Sequence, residues 1–255
     1  MSRRQHTMNT ARGLGTSVLG VAILLGLFEA VGRTGVAGET WPPLSSVLAY
    51  SVDEPGRVVL ARATKATVAE ASAGLLIGVL AGVVAAGLGL LVPWLRTGMS
   101  QLAILLSTLP LIALGPVLVT TVGNERTPAV IAALGSGFAV FVAMSSAFSR
   151  PATDLDDLFQ VLGASRTSTM VRLRAPAAVP AFLDGLALAA PAALLGAVVG
   201  EWFGAPRGIG LLLVSSMQNF EVVQLWAAAL CVSAVSLAAY GTLSGVRRAS
   251  VRRFT

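Results

Sequence analysis

The sequence predicts an all-α polytopic membrane protein with about six transmembrane helices, and three observations lead there. Of its 255 residues, 55% are hydrophobic and 12% are charged, against about 25% charged in an ordinary soluble domain. Mean hydropathy is +0.79. The charges are also unevenly spread, gathering between long apolar runs that they leave almost clean. Too little polar surface remains to wrap a core of this size in water.

A helix that crosses a bilayer needs about 20 mostly apolar residues. Six runs qualify: 13–28, continued to Val31 past Glu29; 71–92; 97–124, which contains Pro110 and Pro116; 127–149; 175–200, with the single acid Asp184; and 222–246. A shorter run, 208–220, is too short to cross and reads as a re-entrant or interfacial segment. Residues 1–12 form a polar N-terminal tail, and residues 13–255 form a single membrane domain.

Six spans place both termini on one side. The N-terminal tail carries Arg3, Arg4 and Arg12, and the C-terminus carries Arg247, Arg248, Arg252 and Arg253, with no acid in either. The positive-inside rule assigns both to the cytoplasm. Arg96, and Arg150, Arg166, Arg172 and Arg174, then fall on the same side, so that 12 of the 18 basic residues face inward. The net charge of +6 is therefore a topology signal and implies no nucleic-acid partner. A basic start followed by an apolar run and Val36-Ala37-Gly38 has the outline of a cleavable signal. The run is long for that purpose, and its removal would break the agreement between parity and charge, so it is expected to stay as the first span.

Between the first two spans, Trp41, Pro42 and Pro43 mark a turn, with Trp41 placed as an interface anchor. Residues 47–52 and 58–66 read as two short amphipathic helices lying at the surface. Gly74, Gly78 and Gly82 recur every fourth residue and leave one face of the second span bare, a pattern that permits close helix packing in lipid. Pro110 and Pro116 each delete a helix hydrogen bond, so the third span is expected to kink or break. Broken helices often line substrate pathways, which makes Pro110 to Pro116 the expected pathway region. Of the acids in or beside spans, Glu29, Glu70 and Glu201 sit near a membrane face and read as solvated helix ends.

Catalytic chemistry is missing. The sole lysine, Lys65, is followed by Ala66, so there is no phosphate-cradling G-x-x-x-x-G-K-[ST] loop and no P-loop ATPase site. One histidine, His6, and one cysteine, Cys231, supply neither a metal cluster nor a Cys/His nucleophile pair. Cys231 lies in an apolar run and reads as a small buried hydrophobe.

The long basic connection, 150–180, carries the most information. Asp154, Asp156 and Asp157 suit a helix N-terminus. Leu155, Leu158, Phe159 and Leu162 follow at helical spacing, Gly163-Ala164-Ser165 breaks the helix, and a second amphipathic stretch, 167–173, is expected to end near Pro176 and Pro180. Two short helices around a glycine turn, with an apolar stripe exposed, call for a partner. The alternative is that the stripe packs on the protein's own spans.

This segment resembles the EAA loop of binding-protein-dependent ABC importer permeases, in which EAA-x-x-x-G is followed by a spacer and Leu-Pro. Asp157-Leu158-Phe159 stands at the EAA triplet, Gly163 with Ala164 and Ser165 at the glycine, and Ala175-Pro176 at the Leu-Pro. From about Trp41 onward the chain is similar to the nitrate/sulfonate/taurine branch. Pro42-Pro43 resembles its early turn, Leu109 to Pro116 with Gly123 its third-span signature, and Glu201 with Gly208-Ile209-Gly210 its acid-and-glycine element. The chain departs from that branch at Glu70, where an arginine usually precedes the glycine face, and after Gly185, where a basic residue is absent.

The resemblance implies a MetI-like permease in a prokaryotic inner membrane, working as a homodimer. Asp157, Leu158, Phe159, Leu162, Gly163, Ala164, Ser165 and Pro176 would form the coupling loop to a separate ATP-binding-cassette ATPase. An extracytoplasmic solute-binding protein would deliver substrate, and Pro110, Pro116 and Glu201 would belong to the pathway. This chain would bind no cofactor of its own, ATP and Mg lying on the ATPase. The implied substrate is a small organic anion or related solute such as a sulfonate, taurine or nitrate. Two other readings stay open on the residues alone: a secondary transporter or channel acting without ATP, and a membrane scaffold whose loop binds a cytoplasmic protein.

Overall fold

The computed structural model describes residues 2–149 and 154–251. Arg150, at the start of the 150–180 connection, and Arg252 and Arg253 lie outside the described residues. In chain order the helices are α1 (Ser2–Thr34), α2 (Leu44–Val52), α3 (Gly56–Leu91), α4 (Pro93–Thr108), α5 (Leu111–Val122), α6 (Thr127–Ser149), α7 (Asp154–Val161), α8 (Arg166–Thr169), a π-helical turn (Met170–Arg174), α9 (Ala175–Glu201), α10 (Ile209–Gln218) and α11 (Val222–Val251). Among the described residues, four helices are long and apolar enough to cross a membrane: Gly56–Leu91, Thr127–Phe148, Met170–Glu201 and Val222–Ser250.

Two of the remaining expected spans take a different form. The run 13–31 lies within α1, which continues back through the polar tail to Ser2. The run 97–124 is divided. Pro110 cannot donate a backbone hydrogen bond and biases Leu109 to an extended backbone (φ −70°, ψ 123°), so α4 stops and α5 begins anew at Leu111. Pro116 lies inside α5 and does not break it. Residues 58–66 are not a separate surface helix either. They form the first turns of α3, because neither glycine nor proline interrupts the chain between Arg57 and Ser72. Residues 208–220 yield α10, too short to cross and buried at Ile209, Gly210 and Ser216.

The core is α6, held between α3 and α9 by small residues. A Cβ added at Gly74, Gly78 or Gly82 of α3 would come within 2.4 Å, 2.2 Å or 2.6 Å, respectively, of an α6 atom. On the other side, Gly185, Gly196 and Gly200 of α9 meet Ala143, Ala132 and Pro128 of α6 just as closely. Without these side chains the helix backbones approach until α6 is enclosed, leaving Ile131, Ala132, Ser136 and Val140 with no exposed surface. The Ser136 hydroxyl donates to Ala132 O at 2.7 Å, so its polarity is satisfied within α6. Asp184, the one acid inside the α9 run, pairs with Arg247 of α11.

Aromatic rings join the early segments to this bundle. Phe28, Trp41 and Trp226 cluster with centroids 4.8 to 5.0 Å apart, and Trp226 Nε1 donates to Thr40 O at 3.0 Å. Glu29 is more than a solvated helix end. Its carboxylate accepts Ser45 N–H at 2.9 Å and Ser45 Oγ–H at 2.8 Å, which places a negative charge on the N-terminal turn of α2.

Candidate functional site

Two regions at opposite ends of α9 hold the expected site residues. At its N-terminal end, α7 presents Leu155, Leu158, Val161 and Leu162, each about half exposed or more. Asp157 is also exposed, and Phe159 is half-buried. The helix ends where Gly163 adopts φ +70°. Leu162 N–H reaches Leu158 O at 3.0 Å, and Ala164 N–H reaches back to Phe159 O at 2.9 Å. This is the six-to-one hydrogen bond of a Schellman cap, which uses a left-handed residue at the position of Gly163. Ser165 then restarts the chain as a helix: its Oγ accepts Ser168 N–H at 3.2 Å, as an N-cap does. Thus Gly163 stops α7, and Ser165 starts α8.

Pro176 does not end the second helix. The chain runs from α8 through the π-helical turn into α9, and Pro176 and Pro180 lie within the continuous helix. A helical proline lacks an N–H and crowds the carbonyl four residues earlier. Ala175 N–H bonds Met170 O, five residues back, and this wider turn makes room immediately before Pro176. The expected pair of short helices is therefore one short helix and the extended end of a span.

The second region surrounds Glu201, at the other end of α9. Glu201 is 0% exposed, which corrects the expectation of a solvated helix end. Its Oε2 accepts Gly210 N–H at 2.5 Å, while Thr67 Oγ1 of α3 accepts Ile209 N–H at 2.8 Å. Two free N–H groups at the start of α10 are thus met by side chains from α9 and α3. Gly208, with φ +127°, must be glycine for a second reason: a Cβ there would lie 2.1 Å from Glu201 Cδ. Glu70 of α3 comes within hydrogen-bonding reach of the same carboxyl.

The divided third span reaches this region. The Phe203 ring covers Gly115 of α5, where a Cβ would come within 2.1 Å of it. Asn124 Nδ2 donates to Gly204 O at 2.9 Å. The structure therefore brings α5, which carries Pro116, against the turn that follows Glu201, while Pro110 and Pro116 themselves stay exposed. Sequence reading missed Thr67 and Phe203. A threonine inside an apolar face gave the one hint, because a buried hydroxyl needs a partner.

The family model for the binding-protein-dependent transport system inner membrane component matches residues 74–254, which include α7, the turn at Gly163 and Glu201 but neither Thr67 nor Glu70. The chain belongs to this family. A probable ABC transporter permease protein of Haemophilus influenzae is 30% identical over 178 residues, 69% of this chain and 73% of that protein. The formylaminopyrimidine transport permease ThiX of Halalkalibacterium halodurans is 32% identical over 160 residues, 61% of this chain and 63% of that protein. The putative aliphatic sulfonates transport permease SsuC of Bacillus subtilis is 25% identical over 216 residues, 81% of this chain and 75% of that protein. A solved structure of the MetNI methionine ABC transporter in an inward-facing conformation matches with a TM-score of 0.67 at 15% identity, covering 78% of this chain and 99% of that chain. The permease therefore has the MetI-like fold and is a multi-pass protein of a prokaryotic inner membrane.

Proposed function

We propose that this permease transports a small organic solute inward, and that it couples to a separate ATP-binding-cassette ATPase through α7 and the turn at Gly163. The observation that carries the coupling is the exposed stripe of Leu155, Leu158, Val161 and Leu162, held at a fixed angle by the Schellman cap. In this reading the stripe lies in the cytoplasm and enters a groove on the ATPase. Closure of two ATPase subunits on ATP and Mg moves α7. The continuous helix from α8 through α9 carries that movement across the membrane toward Glu201 and α5, and the pathway opens alternately to the two sides. No bond is made or broken on this chain.

A homodimer is part of the proposal. Leu102, Ile104 and Leu105 of α4, and Ile112 and Val117 of α5, are exposed apolar side chains suited to lipid or a second copy. An extracytoplasmic binding protein supplies the substrate. The likeness to a sulfonates permease supports a small organic anion, such as a sulfonate or taurine, or nitrate. The greater identity to a formylaminopyrimidine permease supports a second reading, a small heterocyclic vitamin precursor.

The test is gentle purification of the tagged full chain and identification of its companions. A Walker-A-bearing ATPase at equal stoichiometry supports the coupling role. Gly163→Val, which puts a β-branched residue at φ +70°, should abolish that association. Uptake by the purified chain in liposomes without ATP would refute it, as would an unchanged complex with Gly163→Val.

A further inference from the structure

Glu70 and Glu201 lie 131 positions apart in sequence and side by side in the fold, on α3 and α9. Their carboxyl groups stand within hydrogen-bonding reach of one another. Each nevertheless keeps one buried oxygen without a donor, Oε2 of Glu70 and Oε1 of Glu201. Glu201 has no exposed surface at all. Two carboxylates cannot satisfy each other, since both only accept hydrogen bonds. A carboxylic acid can satisfy a carboxylate, because its O–H donates.

The neighbouring charges do not supply another solution. α5, α6 and α10, which pack on this region, contain no charged residue, α11 carries only Arg247 and Arg248 near its C-terminal end, and Glu125 and Arg126 on the turn before α6 are exposed. The other acid of α9, Asp184, lies almost five turns away along that helix and pairs with Arg247. Lys65, Arg62 and Arg57 of α3 are exposed. Arg207, exposed on the turn before α10, is the cation whose field reaches Glu70. The remaining donors at Glu201 are the Gly210 N–H and the Thr67 hydroxyl. Among the described residues, no group of three or more His, Cys, Asp or Glu gathers to hold a metal ion.

We propose that Glu70 and Glu201 bind a single proton between them, and that this acid–carboxylate pair is a latch joining α3 to α9 and the start of α10. With the proton in place, the O–H of one group donates to the other, and the buried oxygens are satisfied. When the proton leaves to solvent, two adjacent negative charges remain and push α3 and α9 apart. Glu201 also holds Gly210, and Phe203, two residues on, covers Gly115, so the loss of the latch loosens α10 and α5 with it.

The experiment follows unfolding of the purified full chain in detergent from acidic to alkaline pH, for the wild type, Glu70→Gln and Glu201→Gln. In the wild type, the folded-to-unfolded ratio should fall about tenfold per pH unit above the ordinary carboxylate range, where the unfolded chain has lost the proton and the folded pair still holds it, and should level off once the pair releases it. Either glutamine supplies a permanent N–H donor, so each variant should lose that slope. A wild type without the slope, or a Glu70→Gln variant that keeps it, overturns the proposal. So does restoration of the lost stability by added sodium or calcium ions, which would place a metal cation between the carboxylates. Infrared spectroscopy of the wild type decides the matter if the variants fail to fold. The carbonyl stretch of a protonated carboxylic acid should be present at neutral pH and should disappear as the pH rises. Its absence at neutral pH overturns the proposal.

Discussion

Gly78→Ala measures how far the bundle depends on bare helix backbones. The new Cβ would lie 2.2 Å from Ser136 Oγ, 2.5 Å from Ala133 O and 2.8 Å from Gly137 N. Comfortable heavy-atom contacts fall near 3.5–4.0 Å, so α3 has to retreat by about 1 Å from α6. Two of the three obstacles are backbone atoms and cannot rotate away. Overpacking of this kind costs about 1–3 kcal/mol, and the fixed backbone argues for the upper half of that range. Alanine returns up to about 1 kcal/mol through better helix propensity, leaving a net loss of about 1–2 kcal/mol. Gly87→Ala is the internal control. It sits on the same helix, and a Cβ added there would meet nothing within 4 Å, so it receives the propensity gain without the clash. The assay is reversible unfolding in mixed micelles followed by helical circular dichroism. Gly78→Ala should unfold well before Gly87→Ala, and the difference between them isolates the contact. Indistinguishable curves would refute the close approach of α3 and α6.

Two further outcomes are expected. Gly208→Ala forces a side chain into φ +127° and against the Glu201 carboxyl; a loss of more than about 2 kcal/mol in the same unfolding assay is expected, since strain and clash act together. Tyr50 donates its hydroxyl to Gln224. Burial, and then the charge of Glu221, push its phenol above the usual value of 10.0. The folded protein therefore holds this proton more tightly than the unfolded chain, and the resulting stability is lost as the pH rises through the folded value. Ultraviolet titration of the phenolate should show Glu221→Gln moving Tyr50 back toward the ordinary range.

Much of this architecture is legible along the chain. Clean apolar runs mark the spans, Pro110 marks the break between α4 and α5, and the spacing of Gly74, Gly78 and Gly82 marks a packing face. Gly163 and Ser165 announce a stop and a start, because cap chemistry is local. Pro176 and Pro180 misled for the same reason. A proline is a local breaker, but the π-helical turn that accommodates it draws on the fold around it. Pro116 likewise persists inside α5, one residue from the Phe203 ring on Gly115.

The sequence by itself determined the class of protein, most of the apolar runs that form its long helices and the resemblance of 154–176 to the EAA loop. Hydropathy, proline and glycine act within a few residues, so one dimension suffices to read them. Only the tertiary structure decided that α6 is the shared partner of two glycine faces. It alone turned Glu29 into a cap for α2 and brought Glu70, Thr67 and Glu201 to the start of α10. The physical reason is that a polar side chain in an apolar segment has no role until another segment supplies its partner. Which segment does so depends on which bare faces mesh most closely.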